Sequence, residues 1–549
     1  HLSSRLSYVP QNTNIELEFT CYDLVMMARN HKLKTFQSEG KEDKDIVINA
    51  MEKMEVLHLK DKTVTQISGG EKQRVILARA IAQETSCIIL DEPISNLDIK
   101  HQILVMKHLK KYLEDNPPLV LILSFLFLII IGSLLLSLPI SQNTARVPYI
   151  DCFFTATSAV CVTGLVTVAT YSAWSVLGKI IIIILIQMGG LGFMTFATLI
   201  ALVMGRRITL KDRLIIKEQT NSIDMQGMVK LIKYILISTF SIETIGAFLL
   251  MTKFVPVYGF KGVFYSFFHS ISAFCNAGFD ILGPNSLIDI NTNIFVLLII
   301  GLLIVIGGIG FNVILDVLHN NFKFKKYSLH SKIVLTTTIL MLSITSILIF
   351  AMEFSNPGTI GNLGFIDKIS NSIFQAITLR TAGFASIDQS KLLDSSSVLS
   401  ILNMFIGGSP AGTAGGIKTT TFALLIIVAL SEIKGQEDVE VFNRRIRFSQ
   451  VKKALAIITL SLAWVIFVTF AILVIDKAKY LDVVFEVVSA FGTVGLTRSL
   501  TPGINSISKI LIISTMYIGR VGSLTILYAL SNTKNKKAYK EAHENIIIG

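Results

Sequence analysis

Long and short apolar stretches alternate along most of this chain, and each short one ends on a glycine. Apolar segments lie near 119–138, 176–204, 231–251, 293–318, 332–352, 398–430, 454–475 and 507–530. Each reaches the roughly 20 residues that a helix needs to cross a bilayer. Inside the four successive pairs fall FFTATSAVCVTGL, FFHSISAFCNAGF, SIFQAITLRTAGF and VFEVVSAFGTVGL, whose alignment ends at Gly164, Gly278, Gly383 and Gly495. Stretches of about 12 apolar residues are too short to span and predict re-entrant half-helices. The glycines are 114, 105 and 112 residues apart, so the period is a whole structural unit. Six residues before them stand Ser158, Ser272, Ile377 and Ser489, and five before them Ala159, Ala273, Thr378 and Ala490. The pattern predicts an all-α polytopic membrane protein of eight spans, two in each of four repeats, with a re-entrant half-helix between the two. Four copies of one loop around an axis make a pore.

Composition agrees: 52% of residues are hydrophobic, 16% are charged, and the mean hydropathy is +0.62. Charge fixes an orientation, because cytoplasmic loops carry excess Lys and Arg. The linkers between repeats hold Arg206, Arg207, Lys211 and Arg213, then Lys323, Lys325, Lys326 and Lys332, then Arg444, Arg445, Arg447, Lys452 and Lys453. Both termini and the linkers are therefore expected in the cytoplasm of a bacterial cell, with the glycine loops entering the plasma membrane from outside. Residues 1–116 hold 16 basic against 17 acidic residues, so the net charge of +12 belongs to the membrane part. Anionic membrane lipid accounts for it without nucleic acid. The five cysteines form no C-x-x-C pair, which argues against disulfides and metal sites.

A break in composition falls at Asn116-Pro117-Pro118, where neither proline can continue a preceding helix. Before it stand YVPQ (8–11), ISGGEKQRVILARAI (67–81), CIILDEP (87–93) and SNLD (95–98). This segment resembles the ATP-binding subunits of ABC transporters, especially iron-siderophore and cobalamin importers. The resemblance implies an incomplete α/β P-loop NTPase-like segment, with Gln11 in the Q-loop and Ser68, Gly69 and Gly70 in the signature loop. It makes Asp91 the Walker B carboxylate, Glu92 the general base and Asp98 the D-loop residue. An apolar strand, Cys87 to Leu90, delivers Asp91 and Glu92 to its carboxyl end, where α/β proteins hold ligands. No G-x-x-x-x-G-K-[ST] loop occurs in residues 1–116, and no switch histidine follows the D-loop. Without the phosphate cradle and its lysine, ATP and magnesium are not expected to be used here and the chain is not read as an enzyme. The segment reads as the tail of an ABC subunit joined to a transporter by gene rearrangement or a reading-frame error. The alternative is an ABC importer ATP-binding protein whose phosphate loop lies ahead of His1.

In each glycine loop a half-helix ends mid-membrane with its partially negative end toward the axis, which favours a cation. The next residues are Val162-Thr163-Gly164, Asn276-Ala277-Gly278, Thr381-Ala382-Gly383 and Thr493-Val494-Gly495. Read as extended, they turn backbone carbonyls inward to replace water around an ion. From about Pro118 to Ser531 the chain resembles the Trk/Ktr/HKT superfamily of potassium transporters, and most closely the Ktr-type membrane subunit. A serine at the first loop goes with sodium permeation in that superfamily, so Gly164 implies potassium. Only the fourth loop reads TVG and none continues as YG, so the filter is expected to be shorter than that of a tetrameric channel.

The inner segments also repeat: QMGGLGF (187–193), VIGGIGF (305–311) and YIGRVGS (517–523) place Arg520 where the first two have Gly190 and Gly308. A charge mid-span costs about 2.5–3.5 kcal/mol on insertion scales. The resemblance puts Arg520 in the pore beneath the filter. The third inner segment, GGSPAGTAGGIKTTT (407–421), cannot stay helical, since each glycine costs about 1 kcal/mol and proline about 3. It matches the superfamily's intramembrane gating loop, with Gly407, Gly408, Gly412, Gly415, Gly416 and Lys418 at the matching positions. Arginine and loop are expected to act separately, one as a barrier and one as a plug. The resemblance further implies a homodimer on a cytosolic nucleotide-binding regulatory subunit of RCK type, with potassium transported and sodium as an activator. The divisions are 1–116, then four pore units at 117–204, 205–322, 323–434 and 435–531, then a tail at 532–549.

Overall fold

The computed structural model describes residues 6–9, 18–30, 39–85, 87–90, 117–143, 146–192, 228–436, 438–523 and 525. The chain divides into two units, residues 1–120 with 525–549, and residues 121–524.

In the first unit, β1 (Leu6–Val9) and β2 (Cys87–Leu90) pair in parallel with Leu6 opposite Cys87. Parallel neighbours need a crossover, and this one contains α1 (Cys21–Met26), α2 (Lys41–Lys53) and α3 (Gly69–Ala82). Val25, Val47, Met51 and Val75 are fully buried in the core of these helices. Arg29 is buried beside them and donates to Asp43, the Ala82 carbonyl and Glu84, each at 2.9 Å. A buried charge persists when it is paired in this way. Ser68 caps α3. Its hydroxyl accepts from the Glu71 N–H at 3.3 Å, and the Glu71 carboxylate accepts from the Ser68 N–H at 2.8 Å. The Ser68 N–H and hydroxyl hold the Glu71 carboxyl below its ordinary range.

The second unit is helical. Starting at the boundary, α4 (Pro117–Ser137) leads to α5 (Tyr149–Val160) and α6 (Val176–Leu191). Next come α7 (Met228–Tyr258), α8 (Lys261–Phe274), α9 (Ile294–Ile309) and α10 (Phe311–His319). They are followed by α11 (Leu329–Glu353), α12 (Phe365–Thr378), α13 (Asp394–Phe405) and α14 (Thr419–Ile433). A short hairpin of β3 (Glu440–Val441) and β4 (Arg444–Arg445) precedes α15 (Phe448–Asp476), α16 (Tyr480–Gly492) and α17 (Ser506–Val521).

Among the described residues four helices are long and apolar enough to cross a membrane: Leu119–Ser137, Lys233–Tyr258, Leu329–Glu353 and Phe448–Asp476. Their outward faces stay apolar, with Phe127, Phe248, Ile347 and Phe470 exposed. A helix apolar all round belongs in lipid or in a core. The bent pair α9 and α10 makes a fifth candidate, its halves meeting at 93°. The expected span 293–318 is therefore broken at Gly310, where φ is +98°. The first and fourth inner helices stop at the aligned Gly192 and Gly522, with φ of +84° and +94°. Sequence reading assigned a break only to the third inner segment. That interruption is also present, separating α13 from α14. The expected spans 176–204 and 507–530 run into residues outside those described, as do the first linker and the tail.

Candidate ion pathway

Each of the four short helices is followed by a left-handed residue and, two positions further on, by a left-handed glycine. Val162, Asn276, Thr381 and Thr493 have φ of +57°, +60°, +62° and +52°, and Gly164, Gly278, Gly383 and Gly495 have +92°, +67°, +79° and +94°. The residues between them have negative φ. The triplets are therefore not extended as the sequence reading held. In an extended strand successive carbonyls point to opposite sides, whereas an alternating sign of φ lets successive peptides face one side. Non-glycine residues rarely adopt positive φ, and here helix-terminal bonds hold them there. Thr163, Ala277 and Val494 donate to the carbonyls of Ser158, Ser272 and Ser489 at 2.7 to 2.8 Å, the longer closure of a Schellman-type end.

The aligned serines have a job in this geometry. Ser158 and Ser489 accept from the N–H of Gly164 and Gly495 at 3.0 and 3.1 Å, and Ser272 donates to the Phe279 carbonyl at 2.8 Å. Ile377 has no hydroxyl to offer. Its neighbour Thr378 substitutes, donating to the Phe384 carbonyl at 2.7 Å.

The four glycines close a ring. A Cβ built on Gly164 would lie 2.5 Å from the Ala277 carbonyl oxygen, and one on Gly278 would lie 2.6 Å from that of Ala382. One on Gly383 would strike the Val494 oxygen, and one on Gly495 that of Thr163, which returns to the first loop. A side chain at any of these positions would force the neighbouring backbone to shift. A cavity of about 360 Å³ opens on the ring, lined by the four glycines with Asp280 and Asp388 among others. Burial raises the Asp280 carboxyl to about 6. At Asp388 burial acts in the same direction, but bonds from Ser390 and Lys391 outweigh it and hold the carboxyl below its ordinary range.

Residues 407–418 form a loop that ties its own ends, Gly407 donating to Ile417 at 2.8 Å and Thr419 to Gly408 at 3.0 Å. It lies against the glycine loops: the Thr413 hydroxyl donates to the Phe274 carbonyl at 3.2 Å, and a Cβ on Gly415 would collide with the Thr493 side chain. It is also stitched to the broken inner helices, Ser409 donating to Gly308 at 3.0 Å, Phe311 to Ala411 at 3.0 Å and Gly416 to Gly519 at 3.3 Å. Lys418 folds back onto the Ala414 carbonyl at 2.7 Å. Arg520 reaches the same place. Its guanidinium donates to the carbonyls of Thr413, Gly189 and Gly190, the last at 3.1 Å.

The TrkH family of cation transport proteins matches residues 102–540. The chain belongs to this family. Among relatives of this TrkH-family chain, the Ktr system potassium uptake protein B of Bacillus subtilis is 44% identical over 425 residues, 77% of this chain and 95% of that protein. The potassium/sodium uptake protein NtpJ of Enterococcus hirae is 40% identical over 454 residues, 81% of this chain and 100% of that protein. The crystal structure of the potassium transporter TrkH from Vibrio parahaemolyticus superposes with a TM-score of 0.60 at 16% identity, covering 90% of this chain and 97% of the other, which shows a shared fold. Residues 1–95 match a different family, described as ABC transporter.

In this TrkH-family chain the residues singled out from sequence fall into two groups. The twelve triplet residues, the 407–418 loop and Arg520 come together in one place. Of the ABC residues, Ser68, Gly69 and Gly70 open α3, and Gln11, Asp91, Glu92 and Asp98 lie outside the described residues. Sequence reading also missed Arg380, which directly precedes Thr381 and is 5% exposed. Its signal was present, because the other three loops carry Cys161, Cys275 and Gly492 at that position. The inner-helix glycines gain a meaning as well. A Cβ on Gly189, Gly307 or Gly519 would run into the carbonyl of Val160, Phe274 or Phe491, so these glycines let each inner helix touch the end of its half-helix.

Proposed function

We propose that the chain is the ion-translocating membrane subunit of a potassium uptake system, with the four glycine loops as its selectivity filter. The observation that carries this reading is the closed ring, in which each glycine abuts the backbone carbonyl of the next loop. Carbonyls aimed at one axis substitute for the hydration shell of a cation. The Bacillus relative is named for potassium uptake in a Ktr system and the Enterococcus relative for potassium and sodium. Gly164 at the first loop favours potassium for this chain.

Around this filter the described helices are read as four repeats of outer helix, pore half-helix and inner helix, making eight spans with both termini cytoplasmic. Residues 407–418 are the gate, and Arg520 is the fixed charge that holds it. A homodimer on a cytosolic nucleotide-binding regulatory subunit completes the proposed system, with sodium as an activator. Residues 1–116 carry no phosphate loop and are proposed not to hydrolyse ATP.

The test is sodium competition against rubidium uptake in an uptake-deficient bacterium. Gly164→Ser adds a side chain where the Ala277 carbonyl stands and is expected to raise sodium sensitivity about tenfold, a loss of about 1.4 kcal/mol of discrimination. Unchanged sodium sensitivity in a variant that still transports would remove the first loop from the filter.

A further inference from the structure

Arg380 directly precedes the third glycine triplet, and among the described residues no carboxylate pairs with it. It is 5% exposed, and neither Nε nor Nη2 has a hydrogen-bond partner among the described residues. A buried guanidinium in that state is costly unless something satisfies it. Beside it lies a cavity of about 10 Å³, lined by Arg380 together with Asn276, Gly308, Leu342 and Gly408 among others. That volume is about one water and too little for a hydrated ion or an organic anion. The cavity wall draws on the second glycine loop through Asn276, the second inner helix through Gly308 and the gate loop through Gly408.

Asn276 supplies the matching acceptor. With its amide nitrogen turned inward it donates to the carbonyls of Phe274 and Ile304, both at 3.2 Å, and to the Thr413 hydroxyl at 3.3 Å. In this orientation the amide oxygen takes the position 3.4 Å from the Arg380 backbone carbonyl, on the Arg380 side. A water in the cavity then meets a cationic donor and an amide acceptor, with the backbone of Gly308 and Gly408 alongside. Two to four such partners are what a buried water requires.

We propose that Arg380 is a positioning residue of the ion pathway, holding the second and third glycine loops and the gate loop in register through one buried water shared with Asn276. A fixed charge anchored by a water sets the spacing of carbonyls at two of the four corners of the ring, so its loss blurs the choice between potassium and sodium. This rests on the glycine ring being the filter.

The experiment is rubidium uptake into proteoliposomes of the full chain, with potassium and sodium as competitors. Arg380→Met removes the donor, Arg380→Lys keeps charge and a donor, and Leu342→Phe fills the cavity from an outer helix, displacing the water while every filter and gate residue keeps its identity. Expected are an approximately tenfold rise in sodium inhibition for Arg380→Met and Leu342→Phe, and recovery of most of the discrimination in Arg380→Lys. A residue needed only for folding would lower the amount of active protein and leave the competition ratio unchanged. If Arg380→Met cannot be purified folded, Leu342→Phe decides: wild-type competition in that variant overturns the proposal, as does wild-type competition in a folded Arg380→Met. Wild-type protein that passes no rubidium would instead remove the functional reading beneath it.

Discussion

At Gly164 two constraints coincide: a φ of +92° and a carbonyl 2.5 Å from where a Cβ would lie. Either alone disfavours a side chain, and together they make the position a direct readout of ring geometry. Asp280 is a second residue expected to act on a cation entering the ring. It lines the cavity over the ring, and burial lifts its carboxyl to about 6. The group is charged above that value and becomes neutral as pH falls through it, so its attraction for cations is present at pH 7.5 and lost at pH 5. Asp388, held below the ordinary range, stays charged throughout. Lowering the external pH from 7.5 to 5 is therefore expected to raise the KM for potassium several-fold, and Asp280→Asn is expected to show the high KM at both values. A wild-type KM independent of pH would sever Asp280 from ion entry.

At the scale of elements, the gate loop and α17 are joined. The Thr413 carbonyl accepts from Arg520, and Gly416 donates to Gly519, so the arginine is a latch on the loop as well as a charge. Separate action is the expectation from sequence; the contact leads us to expect coupling instead, because contacting residues do not in general contribute additively. Arg520→Ala and deletion of Gly412 to Gly416 are each expected to raise rubidium turnover in the absence of a regulatory subunit by about tenfold. The combined variant is expected to be no faster than the faster of the two. Flux that multiplies in the double variant would restore independence.

The same contact marks the limit of what the sequence made legible. Half-helices and glycine loops recur four times with local signals, apolar runs and, in three of the four, a serine six residues before the glycine, and a local pattern can be read without neighbours. Arg520 and Thr413 are 107 residues apart and carry no shared motif. The left-handed Val162, Asn276, Thr381 and Thr493 were hidden for a similar reason. Their residue types do not announce positive φ, and only the bonds across each helix end impose it. The breaks at Gly192, Gly310 and Gly522 lay in plain view but look like small residues for packing, which Gly189, Gly307 and Gly519 in fact are.

Over the whole molecule, two segments with different family matches share one chain. The first unit has a packed core and an intact capping box at Ser68, so its sequence specifies structure in the described residues. On the proposed reading, ion movement through the second unit needs no chemistry from the first. Rubidium uptake into uptake-deficient cells under potassium limitation tests this most directly, comparing the full chain, the full chain with Glu92→Gln, and a chain beginning at Pro118. The account predicts that all three restore uptake to within about twofold of one another, with sodium competing weakly. Uptake that is lost in both altered chains while the full chain transports would contradict it, because ion flow would then depend on the ABC segment and its carboxylate rather than on a pore.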